Sequence, residues 1–150
     1  MEEVEKAYIA GIIDGEGTVS LIKHHRNETP APLVSVANNK LELLQWIKKR
    51  VGGTIINKRK NKPYHDNSYA WSLRFDSALN FLKLIKKYLI LKLPQTELIL
   101  KNYKAVTKRS GKYTLEALNN KMKLVTRIRE LNQRKSMPPI ISRAPEIKSG

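Results

Sequence analysis

The sequence has no cysteine and few acidic side chains. Without cysteine, the chain has no disulfide, no thiolate metal site and no cysteine nucleophile. No apolar run approaches the roughly 20 residues that a membrane span needs. Walker-type and dinucleotide-binding glycine loops are also absent. Residues 1–5 are acidic, unlike a signal peptide or an arginine-rich transit peptide, so we expect a protein that is not secreted.

Positive charge is what the sequence has in excess. Its 150 residues contain 29 Lys and Arg against 13 Asp and Glu, for a formal net charge of +16, and 41% are hydrophobic. This composition predicts a folded basic domain with a polyanionic partner, nucleic acid first and an anionic membrane surface second. Residues 1–17 contain one base and five acids (−4), whereas residues 18–150 contain 28 bases and eight acids (+20). The acidic end either faces away from the polyanion or holds metal ions against it.

The spacing of apolar residues predicts one α+β domain over residues 1–135 and a flexible tail over residues 136–150. The expected order is a helix, two strands, a helix, two strands and three helices, with antiparallel hairpins. Asn38 or Asn39 is the expected cap of the second helix, and Asp76 or Ser77 that of the third. The expected bounds are 4–14, 18–25, 33–37, a helix to about 50, 54–60, 68–75, a helix to about 88, 94–107 and 114–133.

The first predicted helix has two kinds of apolar residue. Large residues at helical spacing predict a core face, made of Val4, Tyr8, Ile9, Ile12 and Ile13. Small residues form a second group, Ala7, Ala10, Gly11 and Gly15. A glycine inside a helix costs roughly 1 kcal/mol relative to alanine, which favours a packing role for the small group. Small residues let two helices approach closely.

The segment Ile9–Gly17, with the sequence IAGIIDGEG, is the most informative in the chain. It resembles the LAGLIDADG motif of homing endonucleases, and the order of elements over roughly residues 4–107 is similar to that family. The resemblance implies an α-β-β-α-β-β-α core with a four-stranded, antiparallel, saddle-shaped sheet and additional C-terminal helices. It also implies an intron-encoded protein of the prokaryotic or archaeal cytoplasm, or of a mitochondrion or chloroplast.

The end of this motif suits a divalent cation. A helix that ends in Gly-Glu-Gly places a carboxylate at its negative pole, where main-chain carbonyls are also free. Such oxygen donors suit Mg²⁺ (or Mn²⁺), which keeps several waters. By resemblance, Glu16 is the metal-binding catalytic acid, the Gly15 carbonyl assists it and Asp14 is more structural. The alternative is a helix-ending turn with solvated acids.

Three further residues have catalytic roles by resemblance. Lys92 lies within residues 88–95, a segment that resembles the stretch that carries an active-site lysine in the family, where a cation would stabilise developing charge or polarise a water. Asn38 and Lys40 follow the second strand, where the family often places residues that order water. The alternatives are a solvated surface lysine for Lys92, and a plain helix cap with a solvated lysine for Asn38 and Lys40.

The chain contains a single motif, and single-motif chains of the resembling family form homodimers through the motif helices. The expected interface residues are Ala7, Ala10, Gly11 and Asp14. Two-fold symmetry then matches a pseudo-palindromic target. The alternative is that the small face packs inside its own chain.

By resemblance to the family, whose four-stranded saddle lies in the major groove, the sheet is the expected DNA-reading surface; this groove is wide enough for β-ribbons. The face opposite the apolar one and the adjoining loops supply the predicted contacts: Ser20, Ile22, His24, Arg26, Ser35, Asn57, Arg59, Lys60, Lys62, Ser72 and Arg74. The face of the third strand is ambiguous, since Lys58 could exchange with its neighbours. The alternative is an ordinary solvent-facing sheet.

The sequence therefore favours a site-specific homing endonuclease. It would bind a long double-stranded DNA target as a homodimer and hydrolyse one phosphodiester in each strand, leaving 3′ overhangs. The alternative is a non-cleaving relative or an RNA maturase, for which basic residues after the second hairpin are available: Lys101, Lys104, Lys108, Arg109 and Lys112. A membrane binder is disfavoured, because no basic amphipathic helix with exposed aromatics is found.

Overall fold

The computed structural model describes residues 1–58 and 68–133. The predicted class and order of elements are confirmed over these residues. The elements are α1 (Glu3–Glu16), β1 (Gly17–Ile22), β2 (Ala31–Asn38), α2 (Leu41–Val51), β3 (Thr54–Lys58), β4 (Ser68–Arg74), α3 (Phe75–Ile85), a 3₁₀ turn (Lys86–Tyr88), α4 (Leu93–Val106) and α5 (Leu115–Gln133).

The four strands form one antiparallel sheet in the order β1-β2-β4-β3. Val19, Val34 and Leu73 lie side by side across three strands. Because side chains alternate between the faces of a strand, this register assigns every sheet residue to one of two faces. Val19 and Val34 are fully buried, so their face packs on the helices, and the other face is the outer face of the sheet.

The core lies between the sheet and helices α1, α2 and α3. Trp71 of β4 is fully buried, packs edge-on against Phe81 and donates its indole hydrogen to the Gly52 carbonyl at 2.8 Å. Gly53 follows with φ of +98°, and a Cβ there would lie 2.6 Å from the Ser72 carbonyl oxygen. Glycine is therefore required where α2 turns into β3.

The exposed side of α1 differs from the sequence prediction. Val4 and Tyr8 were expected in the core, yet they are 76% and 54% exposed. Ala10, expected at a surface, is fully buried with Ile9 and Ile13. The buried arc of the helix therefore contains both small and large residues, because the geometry of the sheet below it and not residue size fixes which side faces inward.

Two strand ends also differ from the prediction. Strand β1 ends at Ile22 and not near residue 25, because the chain turns there and the Glu28 amide donates to the His25 carbonyl at 3.2 Å. Strand β4 ends at Arg74. Phe75, expected to continue it inward, has φ of +56°, is 42% exposed and begins α3. Arg74 is therefore the cap residue of α3, and the expected caps at positions 76 and 77 are wrong.

The acidic start of α1 is bound to basic residues of its own chain. Glu3 pairs with Lys6 at 2.8 Å and Lys87 at 2.9 Å and also accepts a hydrogen bond from Tyr88. Hydrogen bonds from Lys6, Tyr88 and Lys87 lower the pKa of Glu3 to about 2. Glu5 accepts a hydrogen bond from Arg50, whose pairing lowers the pKa of Glu5. These acids fasten α1 to neighbouring elements and are not merely solvated.

Helices α4 and α5 complete the described structure. They pack on each other, and α5 also covers β1, which is an edge strand. Leu124, Val125 and Ile128 of α5 join the core. As expected, Pro94 lies in the first turn of α4. Over residues 1–58 and 68–133, no helix is long and apolar enough to cross a membrane.

Candidate functional site

Glu16 ends α1 directly before the sheet begins. At Gly17 a Cβ would lie 2.8 Å from the Ile13 Cα, so only glycine allows this sharp passage from helix to strand. The Gly17 amide donates to the Ile13 carbonyl and closes the last turn. The Glu16 carboxylate is exposed, and its Oε1 accepts a hydrogen bond from Asn38 Nδ2 at 3.0 Å. The end of β2 therefore orients the motif acid.

The Asp14 carboxylate has a structural role, unlike that of Glu16. Its two carboxylate oxygens accept main-chain hydrogen bonds from Ile90 at 2.7 Å and Lys92 at 2.9 Å. Asp14 thus holds the segment before α4 against the end of α1. Asp14 is half-buried, and its place at a dimer interface stays a prediction. Ala10 was also expected at that interface and needs correction, since it is fully buried within its own chain.

Lys92 is only 2% exposed, so the alternative of a solvated surface lysine is wrong. Its Nζ donates to the Asp14 main-chain carbonyl at 3.2 Å. The carbonyl of Lys92 accepts the Thr96 amide in the first turn of α4. A cation is favourable at this place, because the C-terminus of a helix is the negative end of its dipole.

Asn38 uses both atoms of its amide. Besides donating to Glu16, it accepts the Lys40 main-chain N–H on Oδ1 at 2.8 Å. Helix α2 begins at Leu41 with Lys40 as its cap residue, so the expected cap at Asn38 or Asn39 is wrong. Hydrogen bonds thus link Glu16 to Asn38 and Asp14 to Lys92. Lys40 joins the first pair through its main chain, while its exposed side chain borders a groove beside Tyr8 and Trp46.

The donor set at the end of α1 consists of oxygen atoms, which fits a hard cation such as Mg²⁺. Glu16 supplies an exposed carboxylate, and Gly15 lies beside it in open space. Within the described parts of the chain, no group of three or more His, Asp or Glu side chains surrounds a common point. A cation here would therefore complete its shell with water, with phosphate oxygens or with groups from a second chain.

The register confirms the expected outer-face position for most of the nominated strand residues. These are Ser20, Ile22, Ser35, Ser72 and Arg74. The prediction for Asn57 was wrong. Asn57 pairs with Tyr69 and lies on the same face as Trp71, because strand alternation places Lys58 and not Asn57 on the outer face. Their contacts with DNA stay predictions.

The nominated loop residues have mixed outcomes. His24 and Arg26 lie beyond the end of β1, in the loop that leads to β2. The His24 ring contacts the Phe75 ring at a tilt of 50°, with ring centroids 4.7 Å apart, and its Nε2 is 3.2 Å from the Pro32 carbonyl oxygen. The His24 side chain is half-buried, whereas Arg26 is exposed. Arg59, Lys60 and Lys62 lie outside the described residues.

Sequence reasoning left the face of β3 open and did not nominate its outer-face residues. Thr54, Ile56 and Lys58 of β3 lie on this face by register, and Ile56 is 57% exposed. The available signal was the clear alternation of β4. With Ile55 placed opposite Trp71, this alternation would have shown which residues of β3 lie on the outer face.

Comparison with known proteins now identifies the class of this fold and site. The family model described as a LAGLIDADG-like domain matches residues 3–87, more than half of the chain. The chain belongs to that family. No curated protein sequence matches the chain significantly.

Solved structures share its fold. The archaeal intron-encoded homing endonuclease I-Vdi141I, complexed with DNA, is 22% identical with a TM-score of 0.68, over 87% of this chain and 86% of that one. The homing endonuclease I-CvuI, complexed with a DNA target in the presence of Mg, is 19% identical with a TM-score of 0.64, over 86% and 82%. The LAGLIDADG meganuclease I-AabMI, bound to uncleaved DNA, is 23% identical with a TM-score of 0.55, over 79% of this chain but 43% of that one.

Proposed function

We propose that the protein is a site-specific DNA endonuclease of the homing type. The observation that carries this proposal is the hydrogen bond by which Asn38 orients the exposed Glu16 carboxylate, at the point where α1 meets the sheet. A carboxylate in this position lies next to any duplex that occupies the outer face, since Thr18 of that face is two residues away. The DNA complexes of I-Vdi141I and I-CvuI support the choice of partner.

The proposed chemistry divides among a few residues. Glu16, with the Gly15 carbonyl, would hold Mg²⁺ or Mn²⁺, which supplies Lewis-acid stabilisation and an activated water. Asn38 keeps the carboxylate in one orientation, and Lys40 adds positive charge beside α2. Lys92 offers a cation close to the end of α1, where it counters negative charge that develops on phosphorus.

We propose that a second copy of this chain completes the enzyme. A stripe at spacings of three and four residues runs along the exposed side of α1: Val4, Ala7, Tyr8, Gly11 and Gly15. A Cβ at Gly11 would meet nothing within 4 Å in its own chain, so packing inside the chain does not explain this glycine. Close approach of a partner helix would explain it. The match to only 43% of the I-AabMI chain also supports two units.

An apolar groove extends this stripe. It has a volume of about 670 Å³ and is lined in part by Val4, Tyr8, Leu43 and Trp46. Tyr8 packs edge-on against Trp46 with ring centroids 5.3 Å apart. Two such surfaces related by a two-fold axis would bury each other, as isologous interfaces do. A symmetric dimer would then bind a pseudo-palindromic target and cut one phosphodiester in each strand, which we expect to leave 3′ overhangs.

The test is to incubate the protein with a randomised duplex library, in Mg²⁺ and in EDTA, and to sequence the cut ends. We expect metal-dependent cuts at related sequences. Glu16→Gln should lower the cutting rate on the order of 10³-fold or more while binding persists, because it removes the acid that holds the metal. The matched control is Glu130→Gln on the exposed side of α5. Loss of binding together with cutting would instead give Glu16 a structural role.

An RNA-binding role without cleavage is the second candidate. Five basic residues near the end of α4 are exposed, which favours a second polyanion surface: Lys101, Lys104, Lys108, Arg109 and Lys112. Structured RNA that competes with duplex DNA, or that binds while DNA is held, would support it. For either role we propose an intracellular location, in a prokaryotic or archaeal cytoplasm or in an organelle, and an intron as the coding context.

A further inference from the structure

Helix α5 lies outside the family match over residues 3–87. Two of its polar side chains nevertheless bind the edge strand β1 and the loop that follows it. Asn132 accepts a hydrogen bond from Gln95 at 2.9 Å and donates to the Val19 carbonyl of β1 at 3.2 Å. About 16 Å away along the helix, Lys121 donates to Thr29 Oγ1 at 2.5 Å. One contact holds strand β1, and the other holds the loop that follows it.

Lys121 is unusual because its charge is buried among neutral groups. The residue is 1% exposed, and no carboxylate of the described residues pairs with it. Its ammonium donates to the Tyr113 hydroxyl at 3.1 Å and lies about 5 Å from the ring centres of Tyr103 and Tyr113. Burial raises the pKa of Tyr113, but hydrogen bonds from Thr29, the Lys108 amide and Lys121 outweigh it and leave that pKa below its usual value.

The β1–β2 loop (residues 23–30) has an anchor at each end. The His24 ring contacts Phe75 at the start of the loop, and Thr29 accepts a hydrogen bond from Lys121 at its end. Residues 25–28 between the anchors are exposed and include Arg26. Strand β1 begins beside Glu16 and runs six residues before the loop, which places the loop about 20 Å from Glu16.

We propose that Lys121 is a positioning residue that fixes the β1–β2 loop, and with it Arg26, against the end of the DNA target that lies farthest from the cut. This inference rests on the proposed function for its DNA partner, but the ordering of the loop does not. The Lys121 side chain is buried on the core side of α5, and its ammonium donates to Thr29 of the loop and to Tyr113 before α5.

A purely structural lysine and a positioning lysine predict different results. Replacing a buried, unpaired charge by an apolar residue of similar length is often neutral or stabilising for the fold. Lys121→Met should therefore leave the melting temperature unchanged or raise it, yet loosen the loop. Loss of fold stability in parallel with loop order would overturn the proposal.

The first measurement uses the protein alone. In Lys121→Met and Thr29→Val, exchange of the Glu28 amide should accelerate about fivefold, the effect of one lost hydrogen bond. Backbone order parameters over residues 25–28 should fall as well. Thr29→Ser keeps the acceptor hydroxyl and should restore both values. Lys123→Met, on the exposed side of the same helix, should match the parent protein. An unchanged loop in both test variants would overturn the proposal.

The second measurement uses the randomised duplex library. Base preference of Lys121→Met and Thr29→Val should weaken at the outer positions of the selected target and stay unchanged at positions near the cut. An even loss at all positions, or no loss, would overturn the assignment. A parent protein that selects and cuts no sequence would contradict the proposed function, while the loop measurements would still decide the role of Lys121.

Discussion

Two lysines among residues 1–58 and 68–133 are buried almost completely, and their surroundings differ. Lys92 is 2% exposed and Lys121 is 1% exposed. The ammonium of Lys92 donates to a carbonyl at the negative end of α1, next to the motif acids. The ammonium of Lys121 donates to two hydroxyls and lies near two tyrosine rings, about 20 Å down the sheet.

The difference teaches how burial and role are related in this fold. A lysine loses hydration wherever it is buried, so each site must return hydrogen bonds. At Lys92 they come from a helix end that also presents Glu16, and we propose that the charge acts on the phosphate bound there. At Lys121 they come from the hydroxyls of Thr29 and Tyr113, and we propose that the charge holds the loop that contains Thr29. The predictions below test this distinction.

The largest expected effect is on cutting. Lys92→Met should lower the single-turnover rate at saturating protein about 10²-fold, because a group that stabilises developing charge is lost. Lys121→Met should raise the apparent Kd several-fold and change that rate less than about threefold. Single-turnover cutting of the selected target, with Lys123→Met as control, checks both. Equal losses of rate in the two variants would erase the distinction.

The next largest expected effect concerns Asn38, which orients the Glu16 carboxylate. Asn38→Ala removes the donor to Glu16 and should lower the cutting rate roughly 10- to 100-fold, the usual cost of a lost partner behind a metal ligand. Asn39→Ala changes the exposed neighbour and should have no comparable effect. A loss of DNA affinity at a constant saturated rate would show that Asn38 contacts DNA instead.

The free energy of unfolding should also respond differently to changes at the Lys92 site and at Lys121. Asp14→Asn leaves one neutral acceptor oxygen for the two main-chain N–H groups of Ile90 and Lys92, so one hydrogen bond is lost and the other weakened, which should reduce the free energy of unfolding by about 1.5–3 kcal/mol. Lys121→Met should leave it unchanged or raise it. Urea unfolding measures both, with Lys123→Met as control. The comparison fails if removal of Lys121 destabilises the fold as much as Asp14→Asn does.

The site around Glu16 and Lys92 was predictable from the sequence, whereas the contact between Lys121 and Thr29 was not. Residues 9–17 are contiguous in the chain. The negative end of the helix dipole predicts a cation site at Glu16 without any tertiary contact. The bond from Asn38 required only that β2 return beside β1. Lys121 and Thr29 are 92 residues apart, so no local pattern predicts their contact. Helical spacing does place Lys121, unlike Lys123, on the apolar face of α5 with Leu124, Val125 and Ile128.

The errors have a common physical origin. A periodic pattern gives the spacing of a helix face but not its rotation, so Val4 and Tyr8 were placed inward and Ala10 outward. In a strand, a shift of one residue exchanges the faces, so Asn57 was placed where Lys58 lies. Both ambiguities are resolved by neighbouring elements, Trp71 opposite Ile55 in β3 and the sheet beneath α1, and neither neighbour is encoded locally.

The smallest expected effect concerns an exposed charge, in contrast to the two buried ones. The folded-state pKa of Glu3 is about 2, below its ordinary value of 4.5, because Lys6, Tyr88 and Lys87 donate to its carboxylate. A lowered folded pKa adds stability that is fully present above about pH 4.5 and is lost as the pH falls towards 2. The difference in unfolding free energy between the parent and Glu3→Gln should therefore shrink over that window. Urea unfolding from pH 7 to pH 2 measures it, and 1 M salt should reduce it by screening; a difference independent of pH would mean that Glu3 acts through packing rather than charge.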